Sequence, residues 1–219
     1  MRIEALIDCY PFLYHMAEAN TWAHIQRFGL LSTSAILDLH NLSGSDRVPY
    51  ESMQRPDMMR VVTSSAPTMI LRDQKPMPDD RIKRALRNSM LPRDWYELLN
   101  RKVFFWATEE RLFRLLGAKF YRAIEHDVLT IDSRSFLSCY WKKVELCHMN
   151  SGNTFPLPHP RDASIFKPAS MYPAKPNGAP LKEVAEVTVP YSVPDVADHV
   201  VSVRRMRGRE LINIVYERP

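Results

Sequence analysis

Glycine is scarce in this chain, six residues against seventeen prolines, and Gly29, Gly44, Gly117, Gly152, Gly178 and Gly208 lie far apart. A Walker loop or a GxGxxG dinucleotide turn needs clustered glycines so that backbone N–H groups can approach phosphate, and both are excluded. Cysteine is scarcer still. Cys9, Cys139 and Cys147 form no CxxC pair and are odd in number, which argues against a disulfide scaffold and fits a reducing compartment. Cys147 stands beside His148 without a second ligand pair at zinc spacing, and HExxH is missing, so no metal is expected. The GxSxG elbow of serine hydrolases is missing too. No apolar run approaches the roughly 18 residues of a membrane span. Glu4 and Asp8 interrupt the first apolar stretch, so neither an export signal nor a membrane partner is expected, and the expected location is cytoplasmic.

What is present resembles an ordinary globular chain. Its 219 residues, 45% hydrophobic and 25% charged, suffice for one domain, residues 1–219, whose core needs no covalent staple. The net charge of +5 is compatible with a polyanionic partner, but the basic residues are dispersed and form no tail, so charge alone says little about nucleic acid.

Apolar spacing and turn residues predict helices early and strands late, an α+β fold rather than a repeating βαβ wind. A helix runs to about Cys9 before Pro11, followed by a strand over Phe12–Met16. Asn20–Phe28 is helical, with Asn20 as cap and Gly29 in the left-handed position at its end. Ser32–Leu39 is a second helix. Arg47–Pro67, polar with three prolines, reads as loop before a strand at Thr68–Leu71. Helices follow at Asp79–Asn88 and Pro92–Asn100, then an aromatic strand at Lys102–Trp106 and a helix from Thr108 to about Ala123. Strands are expected at Asp127–Ile131, Val144–Cys147, Glu183–Val189, His199–Val203 and Leu211–Tyr216. Asn150–Pro180 is a long proline-rich loop, and loops of that length inside a domain are usually functional or mobile.

Taken singly, the chemistry-bearing residues have ordinary readings. His15 suits a core or capping histidine as well as a ligand-binding one. Glu186 falls on the polar side of an alternating strand and reads as solvated. Phe104, Phe105 and Trp106 must show aromatics to both faces, which places their strand centrally in a sheet.

Taken together they suggest more. The segments "LYHMAEANTWAHIQRFGLLS", "KVFFWAT" leading into a helix, and "AEVTVPYSVPDV" resemble, in order and approximate spacing, the ADP-ribosyltransferase superfamily. The likeness is to DarT-type nucleic-acid-modifying toxins and to a related bacterial family of unassigned function. Residues 47–100 carry little of it. Glu18 and Thr21 stand where those sequences usually have a second histidine and an asparagine.

The resemblance implies a split, mostly antiparallel sheet with helices packed around it, gripping NAD as substrate. His15 matches the histidine of the early strand, which holds a ribose hydroxyl of NAD, and Glu186 matches the glutamate of the late one. A carboxylate there would stabilise the cationic ribose that develops as nicotinamide leaves. Phe105, Trp106 or Tyr121 would stack on the nicotinamide. For the arginine that positions NAD, Arg72 in "ILRDQ" is preferred over Arg47 in "DRVPY", with a surface salt bridge as the plain alternative. Asn150 and Gly152, in "NSGNTF", would shape the pocket, Gly152 by allowing a tight turn. The implied acceptor is DNA or RNA, and an antitoxin would be the protein partner. An RNA 2′-phosphotransferase-like enzyme is a second reading, although its Arg-His signature is missing at Tyr14-His15. A non-catalytic interaction module on the same fold is a third.

Overall fold

Where a chain turns is set by a few residues. In the computed structural model, which describes residues 1–219, the first half forms α1 (Ile3–Cys9), β1 (Phe12–Glu18), α2 (Trp22–Phe28), β2 (Leu30–Leu31), α3 (Thr33–Leu39), α4 (Val48–Glu51), β3 (Met59–Val61), β4 (Met69–Leu71), α5 (Asp79–Ala85) and α6 (Pro92–Asn100). The second half forms β5 (Lys102–Trp106), α7 (Glu109–Leu116), β6 (Glu125–Asp132), α8 (Ser133–Tyr140), β7 (Glu145–Cys147), β8 (Lys167–Pro168), β9 (Glu186–Pro190), β10 (Ser192–Val193), β11 (Val200–Arg207) and β12 (Glu210–Glu217).

Eight strands make one sheet in the order β12-β11-β6-β1-β5-β9-β7-β8. Every pairing in it is antiparallel. The fold is therefore α+β, an antiparallel sheet with helices around it. β5 is central, as its aromatics demand. β1 pairs with β6 along its whole length, from Phe12↔Asp132 to Glu18↔His126. On its other side β1 meets β5 at a single position, Tyr14↔Trp106, and beyond it the two strands separate.

The two faces of the sheet differ. On one, α1, α2 and α8 supply residues such as Leu6, Trp22, Ile25 and Phe136 to a continuous core with Leu13, Phe105, Leu129 and Val187. On the other, the packing is divided. Leu112 and Leu116 of α7 cover Tyr14, Met16, Trp106 and Val128, while α5 and α6 cover Phe104 and Cys147 through Ile82, Trp95 and Tyr96. A third small cluster joins α3 to the β3-β4 ribbon through Leu37, Val61 and Leu71. Between these clusters the sheet is left partly uncovered.

Several local expectations change. Asn20 does not cap α2: it sits at φ +69 in the preceding turn, its backbone N–H bound to Asp127, and Thr21 takes the N-cap position. Buried Asp127 has another partner in Arg205 at 2.9 Å, so this turn is tied to two strands. Arg47–Pro67 is not all loop: Arg47 bridges Asp38 and Glu51 and so supports α4, and β3 pairs with β4. The helix expected to reach Ala123 ends at Leu116, and the one expected to reach Asn88 ends at Ala85, where Leu86 pairs with Arg161. Helix α8 lies outside the expected elements. Its cap is a local one, Asp132 accepting from Ser135 N–H at 2.7 Å. Within the stretch expected as the loop Asn150–Pro180, β8 pairs with β7 and Ala174 pairs with Pro180. No helix is long and apolar enough to cross a membrane.

Gly29 ends α2 at φ +73 and ψ −171, a conformation essentially confined to glycine. A Cβ there would also lie 2.4 Å from Val193 O and from Pro194 Cα. Gly44 shares a positive φ, but its surroundings are open. Gly29→Ala is thus expected to lower unfolding free energy by more than about 3 kcal/mol, against about 1 kcal/mol for Gly44→Ala. Chemical denaturation of the two variants checks this, and equal losses would mean that the close approach of α2 to the Val193–Pro194 turn carries no stability.

Candidate functional site

The opening between β1 and β5 leads into a cavity of about 610 Å³, within the range of small-molecule sites. Consecutive residues of both strands line it, His15–Glu18 on one side and Lys102–Trp106 on the other. Consecutive lining is the mark of a split, because backbone edges as well as side chains then face the space. α2, α3, α6 and β4 close the remaining walls.

The cavity gathers residues far apart in the chain: His15, Arg72, Phe105, Trp106, Tyr121, Asn150, Gly152 and Glu186 all line it. Their parity is not what a common sheet face would give. Trp106 lies opposite Glu186 across one strand pair and opposite Tyr14 across the next, so these three share a face. His15 belongs to the other face, its ring 5.8 Å from that of Phe105. Both reach one space because the sheet is open between them.

Glu186 is not the solvated strand glutamate that alternation suggests. Strand β9 is buried on both sides, and Glu186 is only 4% exposed. Its Oε1 accepts from Ser151 N–H at 3.0 Å, while Oε2 has no partner. Burial pushes its pKa up to about 7 against the pull of the Ser151 hydroxyl and N–H and the charges of Arg161 and Arg111.

His15 has the opposite shift. Desolvation drives its pKa down to about 4, opposed by the bond to Phe104 O, with Arg72 adding to the fall, so the ring is neutral near pH 7. Nδ1 lies 2.8 Å from the Phe104 carbonyl, which can only accept; Nδ1 therefore carries the proton. Nε2 is left as an acceptor with no hydrogen bond to the chain. Glu18, which the sequence did not single out for a role, also lines the cavity and has a buried Oε2 without a partner.

Arg72 follows the end of β4, and its carbonyl is held by Arg55 Nε at 2.9 Å. Its guanidinium meets His126 Nδ1 at 3.2 Å, lies 5.3 Å from the centre of the Tyr121 ring, and forms no ion pair. The salt-bridge alternative fails for Arg72 and holds for Arg47, which pairs with Asp38 and Glu51 outside the cavity. Tyr121 is fixed by donating to Asp73 at 2.7 Å. Phe105 is buried in the continuous core and stacks edge-on to Phe136, so of the aromatics in the split Trp106 is the more accessible. Asn150 Oδ1 accepts from Gly152 N–H at 3.1 Å. Gly152 is not needed for a tight turn: its φ is not positive, and a Cβ there would meet only Asn150 Oδ1 at 3.7 Å.

These displaced pKa values make stability depend on pH. The folded pKa of Glu186 lies above its ordinary 4.5. Between about 4.5 and 7 the folded state holds more protons, so stability from this group falls as pH rises. His15 acts in reverse between about 4 and 6.5 and strengthens the fold as pH rises. Glu186→Gln removes only the first effect. The stability of this variant relative to wild type is expected to grow by about 1–3 kcal/mol from pH 4.5 to 7.5, since each tenfold change in proton affinity on folding is worth about 1.36 kcal/mol. Denaturant unfolding at several pH values checks it, and a constant difference would mean that Glu186 titrates normally.

A family model described as a family of unknown function, DUF7002, matches residues 11–200. A search of curated proteins finds no match. The matched span leaves out α1 and nearly all of the β11-β12 hairpin, but it includes every residue that lines the cavity. The chain belongs to the DUF7002 family.

Proposed function

We propose that this protein is a mono-ADP-ribosyltransferase that cleaves NAD in the split between β1 and β5. The observation that carries the reading is one cavity in which a desolvated carboxylate, Glu186, and a neutral histidine acceptor, His15, meet an uncompensated arginine. His15 Nε2, Glu186 Oε2 and Glu18 Oε2 are all acceptors awaiting donors. A ribose supplies such donors as hydroxyls, and a pyrophosphate supplies the anion for Arg72.

In the reaction the bond between nicotinamide and ribose C1′ breaks, its electron pair leaves with nicotinamide, and positive charge develops on the ribose. Glu186, on the ribose 2′-hydroxyl, stabilises that charge in a space where the interaction is little screened. The acceptor nucleophile then bonds to C1′ and releases a proton. Positively charged nicotinamide favours the ionised form of Glu186, offsetting part of the desolvation that holds its pKa near 7. Trp106 offers a π face to the same ring.

On this reading Glu186→Gln leaves NAD binding intact and lowers turnover by at least about 100-fold, because an amide cannot stabilise a cation as a carboxylate does. His15→Ala also weakens NAD binding, since its acceptor is lost. Calorimetric titration with NAD and nicotinamide release measure the two quantities separately, and near-normal cleavage by Glu186→Gln would remove that residue from the mechanism.

The proposed acceptor is a nucleic acid, supported by the likeness to DarT-type enzymes and by the charge of +5. Labelled NAD incubated with separate pools of single-stranded DNA, duplex DNA, RNA and cell protein is expected to mark one nucleic-acid pool. Binding should weaken steeply with salt as counterions return to the phosphates. Label in protein alone would overturn the acceptor and leave the transferase reading standing. Transfer of a phosphate instead of label would favour the 2′-phosphotransferase reading, and no NAD consumption would favour an interaction module. A cognate antitoxin remains part of the proposal through the likeness alone.

A further inference from the structure

Arg161 is only 2% exposed, yet it pairs with no carboxylate. Its guanidinium donates to four carbonyls: Nη1 to Ser151 O at 2.7 Å and Asn150 O at 3.4 Å, Nη2 to Asn153 O at 2.8 Å, and Nε to His159 O at 3.0 Å. A buried guanidinium without a counter-ion at contact is expensive to desolvate, and side chains of this kind persist where they organise something else. Here the organised object is the turn Asn150–Asn153, gathered around one cation. The backbone of Arg161 is anchored from behind, its N–H to Ala85 O at 2.9 Å and Arg87 N–H to its own carbonyl at 3.1 Å.

We propose that Arg161 is the positioning residue of this site: it draws the carbonyls of Asn150, Ser151 and Asn153 together and so aims the Ser151 N–H at Glu186 Oε1, leaving Oε2 free for the ligand. The inference rests on the reading of Glu186 as the group that meets the reacting ribose. Ser151 is itself buried, and its N–H and hydroxyl both act on the Glu186 carboxylate, Oε2 being left without a partner. Thr154, at the end of the turn, is tied independently to Pro76 O by its backbone N–H at 2.9 Å and its hydroxyl at 2.7 Å. Loss of Arg161 would therefore loosen residues 150–153 while that anchor holds. The carboxylate that Arg161 reaches through space is Glu186, so the cation contributes charge as well as geometry. Other groups bearing on Glu186 are Arg111 of α7, which pairs with Glu183 at 3.1 Å, and Cys147 of β7, a thiol pushed up to about 12 by burial and by Glu186. His15 and Glu18 lie along the same cavity.

The test uses isotopically labelled full-length protein without ligand, following the Glu186 carboxyl and the Ser151 amide by NMR across pH, with NAD cleavage measured in parallel. In wild type the Ser151 amide resists exchange, and its chemical shift follows the titration of Glu186. Arg161→Gln, which removes the cation, and Ser151→Pro, which removes the N–H together with the hydroxyl while keeping Arg161, each raise the Glu186 midpoint by about one pH unit. Each also lowers kcat about 100-fold and leaves KM for NAD within about threefold. Arg161→Lys keeps the charge and restores part of both effects. Should Arg161→Gln fail to fold, as its thermal melt would reveal, Ser151→Pro and Arg161→Lys carry the comparison. A freely exchanging Ser151 amide in wild type, or a Glu186 midpoint that these variants leave unmoved, overturns the proposal. Wild type that cleaves no NAD overturns the proposed function instead, while the NMR measurements still decide the role of Arg161.

Discussion

Strands β1 and β5 share a single pair, Tyr14 with Trp106, and the rest of the structure is arranged around their separation beyond it. Each strand is held on its far side, β1 by β6 and β5 by β9, so the gap does not weaken the remainder of the sheet. On one face a continuous core braces both halves. On the other, α7 packs over one half while α5 and α6 pack over the other, and no cluster spans the space between them. The hinge pair is packed under α7. A sheet that was paired throughout would bury these edges in hydrogen bonds and leave no cavity.

The split also sets the electrostatics. The side chains that line it are desolvated by burial, which raises the pKa of Glu186 and lowers that of His15. The Phe104 carbonyl, released from pairing with β1, binds His15 Nδ1 and thereby determines which ring nitrogen is left to accept. Arg72 and Arg161 place their cations on opposing terms: the first is uncompensated and available to an anion, the second is consumed by the carbonyls of one turn. The arrangement makes a ligand with hydroxyl donors and a negative group complementary to the cavity.

How much of this is legible in the sequence differs from residue to residue. The β5 aromatics can be placed centrally because Phe104, Phe105 and Trp106 cannot all avoid burial in an edge strand. Gly29 is readable as the end of α2 because local backbone conformation demands it. Glu186 is misleading on pattern alone, since alternation assumes one wet face, and β9 has none. His15 and Glu186 emerge only when distant segments are read together. Arg161 cannot be found that way: nothing local marks an arginine in a proline-rich stretch as buried, because its partners Ser151 and Asn153 are brought to it by the turn and its anchor Ala85 lies in α5. Glu18 escapes for a similar reason, its unpartnered oxygen being a property of the cavity and not of the strand.

The central claim is that the split receives the nicotinamide ribose of NAD against Glu186. A crystal structure with a non-hydrolysable NAD analogue tests it most directly. The analogue is expected between β1 and β5, with its nicotinamide-side ribose hydroxyl about 2.7 Å from Glu186 Oε2 and its pyrophosphate toward Arg72. An analogue bound elsewhere on the protein, or one seated in the split with that ribose away from Glu186, would contradict it.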